Sequence, residues 1–158
     1  MTEGRTEEAI KEKLEGRFGT NLSNWTIQRT RRMYVEVPRE ALVEVVQFMK
    51  GELGFDHLST ITGLDAGEHL EVIYHLFVKG LLLLNLKTKL PLSDPKVRTI
   101  THLFPGAEPY ERELEDMLGV TVEGLPPGRH YPLPEDFPPG QHPLRKSWKV
   151  SDAYPQEV

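Results

Sequence analysis

Near the start of the chain, large apolar residues recur at every fourth position: Ile10, Leu14 and Phe18. That spacing places them on one face and predicts an amphipathic helix over residues 6–18. Thr6 fits its N-cap, and Gly16 with Gly19 its end. The period then shortens. Trp25-Thr-Ile-Gln and Met33-Tyr-Val-Glu-Val are rich in β-formers and are separated by Arg29, Arg31 and Arg32, which predicts a hairpin. Pro38 suits the first position of a second helix. Its apolar face is Leu42, Val45, Val46 and Met49, and Gly51 and Gly54 stop it.

Three alternating segments follow: residues 57–62, 70–78 and 81–90. The second puts Leu70, Val72, Tyr74, Leu76 and Val78 on one face. The third puts Leu82, Leu84, Leu86 and Leu90 on one face and the polar Asn85, Lys87 and Lys89 on the other. Only Lys79-Gly80 separates them, so a tight hairpin is expected. A short helix is expected near Val97–Leu103 and a longer one over residues 107–118. Tyr110, Leu114, Met117 and Leu118 share a face of the longer one, and Gly119 stands where a left-handed residue ends a helix. The expected fold is α+β: a two-layer domain in the order α-β-β-α-β-β-β. A mixed or antiparallel sheet is covered on one face, and a C-terminal acidic helix follows.

Beyond residue 120 the pattern breaks. Residues 121–158 hold 8 of the chain's 13 prolines. Proline lacks a backbone donor and fixes φ, so neither a regular helix nor a central strand is expected there. Yet the stretch also carries Leu125, Tyr131, Leu133, Phe137, Leu144 and Trp148, which a solvated tail rarely does. The division read from this is an α+β domain over 1–120 and an extended Pro-rich arm over 121–158.

Composition narrows the chemistry. The 158 residues suit one domain. With no Cys, this chain holds no disulfide, thiolate zinc site, iron–sulfur ligand or Cys nucleophile. A formal charge of −5 argues against a nucleic-acid partner. The Arg29-Thr-Arg31-Arg32 run beside Trp25 therefore fits an exposed turn better than an RNA patch. No apolar run approaches the roughly 18 residues of a membrane span. The acidic N-terminal segment lacks the apolar core of a secretory signal. No phosphate-binding glycine motif occurs. The six His show no short metal-ligand spacing; His69 and His75 stand about 20 Å apart along one strand. The expectation is a soluble protein without metal or cofactor, any redox centre being held by another chain.

The stretch PGAEPYERELEDMLGVTVEG has six acids (Glu108, Glu111, Glu113, Glu115, Asp116, Glu123) and one base, Arg112. Such a surface is either a solvated face or one awaiting basic groups from another element or chain. Glu111 and Glu113 point about 160° apart on a helix, so they do not form an acid/base pair.

Here the residues resemble a family. Glu111-Arg112-Glu113-Leu-Glu-Asp116-Met117-Leu-Gly119-Val120 is similar to the ERExxDMxG(I/V) signature of the 30 kDa subunit of complex I (NADH-quinone oxidoreductase). The same subunit occurs in related group 4 membrane-bound nickel–iron hydrogenases. His142-Pro143-Leu144-Arg145-Lys146 resembles the family's HPLRKD ending. Phe55-Asp-His-Leu58, Thr62-Gly-Leu-Asp65 and Leu70-Glu-Val-Ile-Tyr74-His75 resemble its upstream run. Two departures stand out. Gly124-Leu-Pro-Pro-Gly-Arg129-His130 replaces GHPDLRR, with only Arg129 aligning, and Ser147 replaces the final Asp. They lean toward the hydrogenase-like or ferredoxin-linked branch.

The resemblance implies a non-catalytic, cofactor-free peripheral-arm subunit with no active site of its own. It would dock the large nickel–iron-like or quinone-site subunit and neighbour small iron–sulfur subunits. It would lie on the cytoplasmic side of the cell membrane, touching the membrane only indirectly and binding no nucleic acid. The partner-docking residues it suggests are Glu111, Arg112, Glu113, Asp116, Arg129, His142, Pro143, Leu144, Arg145 and Lys146. Arg145 and Lys146 are expected to anchor the arm by salt bridges, to the acidic helix among other places. The alternative is a stand-alone small enzyme using a carboxylate pair, Asp65 with Glu68 or Glu71, in a concave pocket.

Overall fold

The computed structural model describes residues 6–78 and 80–153. Lys79, half of the expected hairpin turn, lies outside the described residues, as do the ends of the chain. The first helix, α1 (Glu7–Phe18), is capped as expected: the Thr6 hydroxyl accepts from the Ala9 N–H at 3.2 Å. Gly19 ends it at φ 55°. Its Ile10 and Leu14 are buried.

Strands β1 (Ser23–Arg29) and β2 (Arg32–Glu36) form the expected antiparallel hairpin. Pro38 does not open the second helix. It starts a turn, closed by the Ala41 N–H on the Pro38 carbonyl at 3.0 Å. Helix α2 (Leu42–Glu52) begins after it. Gly51 lies inside α2, and Gly54 alone ends it, at φ 76°; the Phe55 N–H then bonds back to the Met49 carbonyl at 3.0 Å. Leu42, Val45, Val46 and Met49 are fully buried. Phe18 meets Phe48 edge to face at 5.6 Å, which ties α1 to α2.

Strands β3 (His57–Asp65), β4 (His69–Val78) and β5 (Leu82–Pro91) complete a five-stranded sheet in the order β1-β2-β5-β4-β3. The sheet is mixed: β2–β5 is parallel and the other pairs antiparallel. The long hairpin runs in register from His69↔Pro91 to Val78↔Leu82. Its alternation is as expected, with the even-numbered apolar residues of both strands packed against Met33, Val35 and the two helices.

Asn85 departs from the expected wet face. It is fully buried in mid-strand, between Tyr34 of β2 and His75 of β4. Its amide donates to the Met33 carbonyl at 2.9 Å, and its Oδ1 lies 2.5 Å from His75 Nδ1. His75 Nε2 reaches the Thr62 hydroxyl at 2.9 Å. Neighbouring strands cover this position, so its polar atoms are satisfied inside the sheet.

The expected helix near Val97–Leu103 is absent. That segment holds β6 (Lys96–Arg98) and a turn. Strand β6 pairs in parallel with β7 (Thr121–Glu123), the first three residues of the arm. Short apolar windows suit strand and helix alike, and here a partner strand 25 residues away decides. Arg39 fixes the approach to β6 by gripping the Asp94 carbonyl and carboxylate at 2.6 and 3.1 Å.

Helix α3 (Glu108–Leu118) lies against β3. A Cβ at Gly63 would stand 2.5 Å from both Leu114 and Leu118, so the close approach needs glycine there. A last short helix, α4 (Val150–Ala153), closes the described part of the arm. No helix among the described residues is long and apolar enough to cross a membrane.

Candidate functional site

The motif residues of α3 are largely engaged within the chain. Glu111 is fully buried. Its carboxylate accepts from the Ile100 N–H at 2.8 Å and the Thr99 hydroxyl at 2.6 Å. Burial pushes its carboxyl above the ordinary glutamate range, against the pull of those two bonds. Arg112 turns the other way. It forks onto Glu108 at 3.1 and 2.8 Å and reaches the Pro126 carbonyl at 2.6 Å. The backbone at Gly128 passes directly over it: a Cβ there would meet the guanidinium at 2.5 Å. Asp116 is buried, takes the Leu133 N–H at 3.2 Å and pairs with His130 at 2.8 Å. Glu113 is half-buried.

The C-terminal motif closes over the end of this helix. A helix leaves its last carbonyls without intrahelical donors. Gly119, left-handed at φ 71°, brings its own N–H and that of Val120 back onto the Glu115 and Leu114 carbonyls. The arm supplies the next three donors. His142 Nδ1 lies 2.9 Å from the Asp116 carbonyl, the Leu144 N–H bonds the Met117 carbonyl at 2.9 Å, and Arg145 Nε bonds the Leu118 carbonyl. The His142 ring fills the space over Gly119, where a Cβ would stand 2.6 Å from it.

The upstream motif meets the same place. Asp65 accepts the Lys146 N–H and the Gly67 N–H, each at 2.8 Å. Those two bonds hold its carboxyl below the ordinary aspartate range. Three segments far apart in sequence thus converge: Gly63 and Asp65 on β3, the signature on α3, and residues 142–146 of the arm.

The expected salt bridges of Arg145 and Lys146 to the acidic helix take a different form. Arg145 bonds a helix carbonyl, and Lys146 is fixed to Asp65 through its backbone N–H. A helix C-terminus carries partial negative charge, so a guanidinium is at home there without a carboxylate. Sequence reading missed Ile100, Pro126 and Leu133 as partners because backbone donors and acceptors leave no residue-type signal, and Thr99 because its hydroxyl meets Glu111 only once the chain is folded. Trp148 tucks into the arm, donating to Gln141 Oε1 at 3.0 Å.

Between α3 and the arm lies a partly open cavity of about 300 Å³, lined among others by Arg112, Glu115, His130, Phe137 and His142. Burial raises the Glu115 carboxyl, and the hydrogen bond and charge of Asp116 raise the His130 imidazole. Of the docking residues expected from sequence, Arg129, Leu144 and Lys146 are exposed, and Pro143 is half-buried. Exposed Tyr131 joins them on the arm. Of the carboxylates of the enzyme alternative, Asp65 and Glu71 are occupied, and Glu68 is exposed on the turn between β3 and β4. Asp65 holds the arm. Burial pushes the Glu71 carboxyl up, but His69 and Lys87, at 3.1 and 3.5 Å, outweigh it and hold it below its ordinary value.

Comparisons with known proteins bear on the family. Residues 35–154 match the family model described as respiratory-chain NADH dehydrogenase, 30 Kd subunit. The corresponding chain of the F(420)H(2) dehydrogenase of Methanosarcina mazei is 32% identical over 143 residues, covering 89% of this chain and 90% of that one. The beta chain of the membrane-bound hydrogenase of Pyrococcus furiosus is 31% identical, over 75% of this chain and 70% of that one. Among solved structures, a chain of the membrane-bound sulfane sulfur reductase, an archaeal respiratory membrane complex, superposes with a TM-score of 0.80 at 26% identity. That match covers 93% of this chain and 90% of that one. The convergence of the three motifs around the end of α3, together with these matches, places the chain in the family of the 30 kDa subunit of respiratory-chain NADH dehydrogenase.

Proposed function

We propose that this chain is a non-catalytic, peripheral scaffold subunit that docks the large nickel–iron-like or quinone-site subunit through α3 and the arm. Members of its family are subunits of complex I-like or related membrane-bound oxidoreductase complexes, and so is this chain. The observation that carries the docking reading is the closure of the arm over the α3 carbonyls. It turns a Pro-rich segment into a fixed surface, so Leu144, Tyr131, Arg129 and Lys146 are presented at little further ordering cost. Leu144 and Tyr131 are 48% and 49% exposed, and large side chains held rigidly at a surface are what an interface uses as anchors. The docked chain would sit on the cytoplasmic side of the membrane, beside the small iron–sulfur subunits, and its own residues would touch no reacting atom.

The test is a tagged pull-down from native membranes in mild detergent, with the co-purifying chains identified by mass spectrometry. A large subunit of nickel–iron type with cluster-bearing partners is the expected recovery; the tagged chain alone overturns the reading. Arg145→Glu should lower the yield of assembled complex while turnover per assembled complex stays unchanged. Normal yield with slow turnover would remove the scaffold role.

A further inference from the structure

Strand β1 and its turn to β2 take no part in the site above. Helix α3 and the arm lie at the β3 edge of the sheet, and β1 is the opposite edge. At the usual strand spacing the two edges are roughly 19 Å apart. Among the described residues strand β1 pairs only with β2, and its register slips twice, before Thr26 and after Ile27. It is exposed along its length except at Trp25, and Ile27 is 51% exposed.

The turn is unfavourable for the chain on its own. Arg29 lies directly opposite Arg32, and like charges facing across a strand pair repel. Arg31 has φ 65°, a left-handed conformation that costs a side-chain-bearing residue about 1 kcal/mol or more. Among the described residues, the arginines with a carboxylate within 4.0 Å are Arg39, Arg98 and Arg112. The guanidiniums of Arg29, Arg31 and Arg32 have none among the described residues. The Glu7 carboxylate accepts the backbone N–H of Arg31 at 2.6 Å, which holds the turn in shape without forming an ion pair with a tip side chain.

We infer that the β1 edge and its arginine tip form a second docking surface, which takes an extended acidic segment of a partner protein as an added strand. The free edge offers a row of backbone donors and acceptors that another backbone satisfies. Planar guanidiniums at its end fit carboxylates in forked pairs. Ile27 supplies an apolar contact beside them. An anionic lipid surface or a nucleic acid would instead meet a chain of net charge −5, whose field opposes a broad polyanion but not a short strand at one tip. The surface is separate from the arm, so the chain would bridge two neighbours.

The experiment places a benzophenone amino acid at Ile27 and irradiates the complex isolated from native membranes. The peptide attached is then sequenced. The expected adduct is a β-prone segment with several carboxylates from another protein of the complex, with a yield that falls as salt is raised. No adduct, or an adduct on a neutral or basic segment, on lipid or on nucleic acid, overturns the inference. Arg31→Gly combined with Arg29→Ser gives a second arm. Relieving the positive φ and the facing charges should leave the melting temperature of the purified chain equal or higher, while cross-link yield drops about fivefold or more. An unchanged yield overturns the inference. The docking reading of the arm is scored separately by the pull-down, since Arg145→Glu leaves the β1 edge intact.

Discussion

Gly119→Ala tests the closure of the arm most directly. Gly119 is held at φ 71°, and an added Cβ would stand 2.6 Å from the His142 ring. Two costs follow. The left-handed conformation costs alanine about 1–2 kcal/mol. Displacing His142 also removes its bond to the Asp116 carbonyl and loosens the Leu144 bond to Met117, both 2.9 Å, at about 1 kcal/mol each. The sum is about 3–4 kcal/mol, or a fall in melting temperature of about 10 °C for a chain of this size. Circular dichroism of the purified protein measures it, and trypsin cleavage within the arm should quicken in parallel. His142→Ala in the same background separates the terms. With the ring gone, Gly119→Ala should cost only its conformational part, so the two substitutions together cost about 1–2 kcal/mol less than their sum. A Gly119→Ala protein melting within about 2 °C of the parent would refute the reasoning. So would strictly additive costs.

The two glutamates of the signature should behave differently. Glu111→Ala leaves the buried Ile100 N–H and the Thr99 hydroxyl without their acceptor and should destabilise by about 2–4 kcal/mol. Glu113→Ala should change stability by about 0.5 kcal/mol or less, and denaturant titrations of both check the contrast. The His130–Asp116 pair gives a pH prediction. The folded chain holds the His130 proton more tightly than the free side chain, through the hydrogen bond and charge of Asp116. Its contribution is therefore complete below a pH of about 6.5 and is lost as pH rises through the higher folded value. Amide exchange at Leu133, corrected for intrinsic rate, should be slower relative to an unfolded reference at pH 6 than at pH 8, and His130→Asn should flatten the difference. The readout must be local, because His75, whose ionisation burial disfavours, changes stability in the opposite sense as pH falls.

The elements with a repeating apolar period were legible from the residues alone. Ile10 and Leu14, the α2 face from Leu42 to Met49, and the alternation of β4 and β5 are local patterns, and burial follows the period. The Thr6 cap and the Gly119 stop were legible for the same reason, since their chemistry acts within one helical turn. What tertiary structure decided was long-range. Residues 96–98 became a strand because β7 lies beside them. Asn85 was buried because Tyr34 and His75 flank it on neighbouring strands. In the candidate site, the sequence identified the two end motifs but not their relation. His142, Leu144 and Arg145 reach α3 through ring, backbone and guanidinium contacts to carbonyls, and such acceptors are the same in every residue type. Sequence by itself therefore determined which segments matter and which faces are apolar. Only the folded chain decided that Gly63, Asp65, the end of α3 and the arm are one surface, because hydrogen bonds to the backbone depend on where the chain runs.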